Sequence, residues 1–185
     1  MHFTVEAQKI AARYLSEGGI AIDATCGNGF DTLFLAEQVG STGIVYSVDL
    51  QSKAIETASR RLSAAGTLSR CRLVAVSHSE LRTIIEPSHA GLVSVVMFNL
   101  GYLPFGDKSM VTKPESTLAA LDQAIELVRS GGLISVLAYP GHAGGSEESQ
   151  CVAEWVQQHD QALSVERFQD NCNCRSPILW VLTVG

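Results

Sequence analysis

Short apolar runs alternate along the whole chain with segments whose apolar residues recur at helical spacing. The pattern predicts a short helix over 4–17 and a strand over 19–24. Phe30, Leu33, Phe34 and Ala36 recur at helical spacing within 30–39, and Gly40 and Gly43 bracket the end of that helix. A strand follows over 44–49, then a helix over 52–65 stopped by Gly66, a strand over 71–76 and a short helix over 79–86 ended by Pro87. Residues 92–99, LVSVVMFN, are apolar on both faces and rich in β-branched side chains, the pattern of a central parallel strand. Beyond a loop at 100–113, the pattern predicts a helix over 115–129, a break at Gly131-Gly132 and a strand over 133–139. A loop from Pro140 to Gly145 leads to a helix over 146–159, and strands over 162–169 and 177–184 close the chain.

Repeated strand-helix-strand order implies a parallel sheet with right-handed crossovers and helices on both faces. The last two strands are joined by a short loop around Asn171 to Ser176, so they pair most simply as an antiparallel hairpin. The expectation is therefore a single α/β domain over 1–185, Rossmann-like, with a seven-stranded, mostly parallel sheet and an antiparallel C-terminal hairpin strand.

Composition narrows this little but excludes much. An apolar fraction of 46% and a charged fraction of 17% are those of a globular chain. No apolar run reaches the roughly 18 residues of a membrane helix, and the N-terminus lacks a signal-peptide core. Cys26, Cys71, Cys151, Cys172 and Cys174 are odd in number and lack C-x-x-C spacing, which argues against a disulfide framework or a zinc site and for a reducing cytoplasm. The net charge of −6 means that any nucleic-acid contact must use a local basic patch.

The chemistry begins at residues 20–29, IAIDATCGNG. An apolar run ends in Asp23, a turn carries Gly27 and Gly29, and the next apolar run ends in Asp49. In an α/β sheet this turn lies at the carboxyl edge, where ligands bind. Gly27 and Gly29 allow close backbone approach. The dinucleotide fingerprint needs a third glycine, and Thr32 stands there; no Gly-Lys-Ser/Thr follows, so the triphosphate loop is absent too. Asp49 is placed to accept both hydroxyls of a ribose, and Asp23 suits a cationic ligand tail better than a phosphate. S-adenosylmethionine has a ribose, a sulfonium and an amino-acid tail, and no phosphate.

These residues resemble the first motif of class I S-adenosylmethionine-dependent methyltransferases, whose fold also ends in an antiparallel hairpin. More narrowly, DATCGNGFDTLFLA, FNLGYLPFGDK and YPGHAGGSEE resemble a bacterial family first described as rRNA methylases and associated with tRNA wobble-uridine modification. The resemblance implies methylation of the amine of 5-aminomethyl-(2-thio)uridine at position 34, with tRNA, through its anticodon loop, as substrate partner. It implies a cofactor site of Asp23, Thr25, Gly27, Asn28, Gly29, Phe30, Asp31, Thr32, Asp49, Gln51, Ser77, His78 and Asn99. It implies Asn99 and Tyr102 as the catalytic pair, because Asn99-Leu100-Gly101-Tyr102 resembles the N-P-P-Y loop of amino-group methyltransferases. There an Asn oxygen accepts hydrogen bonds from the attacking nitrogen and the Tyr ring packs on the substrate base. Substrate contacts are expected at Gly101, Tyr102, Asp107, Lys108, His142, Asn173 and Arg175, with no metal, and a homodimer is the expected assembly.

Several positions carry two readings. Asp107 is a candidate general base and Lys108 a candidate phosphate contact, while a solvated turn accounts for the same pair. His142 is either a substrate contact or a polar surface group, and His78 either a cofactor contact or a helix-starting turn residue. Glu147 and Glu148 open a helix, where its dipole accounts for them. Ser176 departs from the family pattern of an Asn-rich stretch followed by two prolines. The densest basic cluster, Arg60, Arg61, Arg70 and Arg72, is expected on the edge opposite the cofactor. That leaves Lys53, Arg82, Lys108, Lys113 and Arg175 near the active edge, with Lys9 and Arg13 on the first helix. The alternatives are a methyltransferase for rRNA, a small molecule or a protein amine, and a cofactor-binding module without catalysis.

Overall fold

The computed structural model describes residues 3–101, 111–170 and 175–185. In chain order the elements are α1 (Phe3–Ala11), β1 (Ile20–Asp23), α2 (Phe30–Val39), β2 (Ile44–Val48), α3 (Ser52–Ala64), β3 (Cys71–Val74), α4 (Leu81–Ile84), β4 (Val93–Asn99), α5 (Pro114–Leu127), β5 (Val128–Ala138), α6 (Gly145–Gln158), β6 (Leu163–Gln169) and β7 (Ile178–Val184). The strands form one seven-stranded sheet in the order β3-β2-β1-β4-β5-β7-β6. All neighbours are parallel except β7, which runs antiparallel to both β5 and β6. The expected Rossmann-like sheet and its antiparallel hairpin are both present.

Alternation along the strands builds a core on each face of the sheet. Ala21, Val95 and Met97 point into one core with Leu35 and Ala36 of α2. Their neighbours Ile22, Val96 and Phe98 point into the other, with Leu121 and Ala124 of α5 and Val152 and Trp155 of α6. Period-2 side chains force this division, which is why β4 reads as apolar on both faces. No helix among the described residues is long and apolar enough to cross a membrane.

Three boundaries differ from expectation. The first helix stops at Ala11 instead of 17: Phe3, Ala7, Ile10 and Ala11 are its buried face, and the next residues tighten into i→i+3 turns (Arg13 N–H to Ile10 C=O 3.0 Å, Tyr14 N–H to Ala11 C=O 3.0 Å) that bring the chain round to β1. The helix predicted to 129 ends at Leu127. The glycines expected to break before the fifth strand lie inside it, at an irregularity where pairing jumps from Val93–Val128 to Val95–Leu133. A Cβ on Gly132 would lie 2.5 Å from Val128 Cγ1, so the bulge itself demands a glycine there.

Strand order reverses direction of travel between β1 and β4, so the loops after these two strands diverge and open a crevice at the carboxyl edge. The crevice depends on α2 starting very close to α3. Gly29 has φ +76°, and a Cβ there would lie 2.7 Å from Ala58 Cβ on α3. Gly66 also has positive φ, +70°, but faces open space. Gly66→Ala should therefore lose about 1–2 kcal/mol, the left-handed backbone cost alone. Gly29→Ala adds overpacking worth about 1–3 kcal/mol more. Urea denaturation of the two variants measures the difference, and equal losses would show that the Gly29–Ala58 approach is not a constraint.

Candidate active site

The loop from Asp23 to Gly29 folds over the carboxyl ends of β1 and β2. Cys26 N–H donates to Val48 C=O (2.8 Å) and Gly29 N–H to Cys26 C=O (2.8 Å). Gly27, at φ +51°, turns its N–H onto Asp49 Oδ2 (2.8 Å), and Gln51 N–H donates to Asp49 Oδ1 (2.8 Å). The Asp49 carboxylate is thus fixed by two backbone donors, one from each loop, and each oxygen keeps lone pairs for a further donor. It lines a cavity of about 800 Å³ together with Thr25, Gly27, Asn28, Phe30, Asp31, Gln51, Ser77, His78, Asn99, Gly101, His142 and Arg175 of the expected set.

Asp23, Gly29 and Thr32 stand behind that wall instead of in it. Asp23 is fully buried and accepts from Thr32 Oγ1 (2.6 Å) and Thr25 N–H (3.1 Å). Burial, reinforced by the nearby Asp31 charge, pushes its carboxyl up to about 7. Thr32, where a dinucleotide fold has glycine, is a buried hydroxyl joining Asp23 to Ser47 (2.9 Å) and so α2 to β1 and β2. The carboxylate that reaches the cavity at this end is Asp31, in the first turn of α2.

Asp31 is the hub of the site. Gln8 Nε2 on α1 donates to Asp31 Oδ1 (2.6 Å), and Asn99 Nδ2 donates to Asp31 Oδ2. Burial raises the pKa of Asp31 despite these two donors. Asn99 N–H in turn donates to Thr25 Oγ1 (2.7 Å), so the end of β4 is clamped to the loop after β1. With one side-chain N–H given to a carboxylate, the Asn99 amide has its oxygen Oδ1 as an acceptor for the cavity.

The continuation of β4 is held from a direction the sequence does not signal. Gly101, at φ +130°, donates its N–H to Thr112 Oγ1 (2.8 Å) and accepts from Thr112 N–H (2.9 Å). The Thr112 hydroxyl donates to Glu148 Oε2 (2.7 Å), and Thr117 on α5 donates to Glu148 Oε1 (2.7 Å). Glu148 is 2% exposed. An acid in the first turn of a helix reads as a dipole partner, yet this one latches α6 to the start of α5 and to Gly101. Gln8, Thr112 and Glu148 are all missing from the expected site. Only the tertiary arrangement brings α1 and α6 to this edge.

At the far side, His78 is buried, lies edge-on to Phe98 at 6.2 Å and contacts Ser116 Oγ (3.2 Å); burial lowers its pKa to about 4. His142 lines the cavity opposite Gly101, where a Cβ would lie 3.2 Å from His142 Nε2, and its Nδ1 contacts Ala143 C=O (2.9 Å). The basic cluster needs correction. Arg61 does not lie away from the cofactor edge: its Nε donates to Asn28 C=O (2.8 Å) and its guanidinium sits 3.6 Å over the Phe30 ring, because α3 packs directly on the glycine loop. Arg70 binds Ala36 C=O (3.2 Å), and Arg82 pairs with Glu126 on α5. Tyr102, Asp107, Lys108 and Asn173 lie outside the described residues.

Two measurements check this wiring. Asp23 holds its proton more tightly folded (about 7) than at its ordinary 3.8, so its contribution makes stability fall as pH rises between these values. His78 holds its proton less tightly folded (about 4) than at its ordinary 6.5, so its contribution is lost as pH falls through that window. Asp23→Asn should gain stability relative to the parent chain as pH rises from about 4 to 7, and His78→Gln should gain as pH falls from about 6.5 to 4. Urea titrations across this range test both, and curves parallel to the parent would refute the assignment. Glu148→Ala strands the buried Thr117 hydroxyl and the half-buried Thr112 hydroxyl and should cost about 2–4 kcal/mol, more than Glu148→Gln, which keeps one acceptor; equal thermal shifts would contradict the latch.

The comparisons with known proteins converge. A family model described as Putative rRNA methylase matches residues 45–183. Over 157 residues, 80% of this chain, the sequence is 41% identical to the chloroplastic tRNA (mnm(5)s(2)U34)-methyltransferase of Arabidopsis thaliana, of whose length it spans 57%. The fold matches the crystal structure described as a putative rRNA-methylase from Clostridium thermocellum with a TM-score of 0.91 and 35% identity, over 98% of this chain and 97% of that one. It matches a protein of Streptococcus mutans, described as a putative methyltransferase in complex with SAH, with a TM-score of 0.86 and 27% identity over 98% and 97%. With most of its length matched by the family model, this chain belongs to the Putative rRNA methylase family.

Proposed function

We propose that this chain is an S-adenosylmethionine-dependent methyltransferase that methylates the side-chain amine of 5-aminomethyl-(2-thio)uridine at wobble position 34 of tRNA. Asn99 carries the reading. One side-chain N–H is given to Asp31 and the main-chain N–H to Thr25, which orients the amide at the cavity with Oδ1 as its acceptor. A nucleophilic amine must have its N–H bonds held while its lone pair stays open. A carbonyl oxygen does this without taking the proton.

The residues present fit the cofactor. Asp49 offers two oxygens to a vicinal diol, and the glycine loop brings backbone close on the same side. His78 is neutral near pH 7 and, with Leu50, provides a weakly polar wall for a base. Asp31 supplies an anion at the end nearest Asn99. Among the described lining residues the Lys or Arg side chain is Arg175 alone, as expected for a ligand without phosphates.

When bound, S-adenosylmethionine supplies a methyl carbon activated by its sulfonium; transfer forms the N–C bond, breaks the C–S bond and leaves a neutral thioether. The chain's part is positioning, which is worth up to about 7–11 kcal/mol when the reacting atoms are held in line. Asn99 Oδ1 orients the nitrogen, and the Thr112–Glu148 latch holds Gly101 beside it. Asp31, holding the Gln8 and Asn99 amides on its two oxygens, fixes the orientation of Asn99 from behind. The Arabidopsis relative, which this chain spans over 57% of its length, is named for mnm(5)s(2)U34, the methylated wobble nucleoside that this reaction would form. A homodimer belongs to the proposal, since two copies lengthen the strip of cations open to an RNA.

Asp49→Ala should weaken S-adenosylmethionine binding on the order of 100-fold by calorimetry, because two charge-assisted hydrogen bonds are lost. Asn99→Ala should leave that affinity within a few-fold and reduce turnover about 100-fold through a misplaced nucleophile. Loss of binding in both variants would assign Asn99 to the cofactor alone. Nucleoside mass spectrometry of tRNA from a deletion strain tests the substrate: 5-aminomethyl-2-thiouridine should accumulate, and an unchanged wobble profile refutes the reading.

A further inference from the structure

Phe30 is out of place for a core residue. It is 58% exposed, the sole aromatic among the strongly exposed large apolar side chains of the described residues, and it belongs to neither core. Its ring is nonetheless held. Gly29 fixes the start of α2 against Ala58, and the Arg61 guanidinium lies 3.6 Å from the ring centroid while its Nε is anchored on Asn28 C=O at 2.8 Å. One face of the ring is therefore backed by a planar cation, while the residue as a whole stays 58% exposed. Phe30 and Asn28 line the cavity, and Leu50, 61% exposed, lines it from the loop after β2.

The surroundings are basic in a chain whose net charge is −6. Lys53, Arg60 and Arg61 fall at i, i+7 and i+8 on α3 and so share one side of the helix. Arg60 has Glu56 at 3.5 Å, an exposed pair that phosphate can displace at little cost. An exposed aromatic residue beside a stripe of cations, at the mouth of a pocket, fits single-stranded nucleic acid. Bases stack on aromatic rings and guanidinium planes, and the backbone follows the cations. Two isolated apolar side chains are too few for a protein interface, which needs a contiguous patch.

We propose that Phe30, backed by Arg61, is a stacking platform for an unpaired nucleobase of the RNA substrate next to the nucleotide entering the cavity, with Lys53 and Arg60 carrying its backbone. The proposal rests on the RNA-substrate reading above. The test uses the full chain and a fluorescein-labelled synthetic anticodon stem-loop, read by fluorescence anisotropy, with calorimetry of S-adenosylhomocysteine in parallel. Phe30→Ala should weaken the hairpin about 5- to 150-fold, Phe30→Tyr should stay within two-fold, and the loss of hairpin affinity in Phe30→Ala should exceed any change in its S-adenosylhomocysteine affinity. Lys53→Ala with Arg60→Ala should lower the salt dependence of RNA binding by about 0.7 in log–log slope per cation removed. If the parent chain binds the hairpin and Phe30→Ala binds it equally well, the platform is refuted and the substrate reading survives. If Phe30→Ala loses S-adenosylhomocysteine instead, Phe30 is a cofactor wall and the proposal falls. If the parent chain does not bind the hairpin at all, both fall together.

Discussion

Three carboxylates, Asp23, Asp31 and Asp49, converge where β1, β2 and β4 end, and everything around them is arranged to make that convergence tolerable. Like charges brought together out of water repel, and each must be neutralised or given donors. The three are handled differently. Asp49 takes backbone N–H groups from two loops and faces the cavity. Asp31 takes side-chain amides from α1 and β4. Asp23 takes a hydroxyl and one N–H, sits fully buried, and has its proton affinity raised. The donors come from five separate stretches of chain, so satisfying the acids also assembles the site.

This dependence gives the glycines and the helices their positions. Gly27 must turn its N–H toward Asp49, and Gly29 must let α3 approach to the distance at which Ala58 touches the loop. Once α3 is that close, Arg61 reaches Asn28 and Phe30, and a basic side chain backs two residues of the cavity wall. On the opposite side, α6 brings Glu148 under Thr112 and Thr117, so the acceptor Asn99 lies on a strand end tied at both flanks. These flanking ties fix the strand end against the cavity from both sides.

Much of this was legible from residues alone. Alternation and helical spacing located every strand of the sheet, because period-2 and period-3.6 burial are local consequences of backbone geometry. The Asp23–Gly27–Gly29–Asp49 spacing pointed to the carboxyl-edge cavity, which Gly27, Asp49 and Asn99 line. Legibility failed wherever a partner came from far along the chain. The first helix was expected to reach 17 and stops at 11, since its end is set by packing and not by propensity. Glu148 looked like a dipole partner and Arg61 like part of a remote cluster, and Gln8 carried no signal at all. In each case the deciding contact spans more than twenty residues of sequence.

The sequence by itself determined the α/β sheet with its closing antiparallel pair, the place of the ligand and the absence of a dinucleotide or triphosphate signature, because these follow from local pattern and from which residue types stand at the strand ends. Only the tertiary structure decided which acid faces the ligand and which is buried behind it. Two aspartates in one motif are chemically identical along the chain. Burial and the donors that reach them from α1, α2 and β4 make Asp23 a protonatable support and Asp31 the wall of the site.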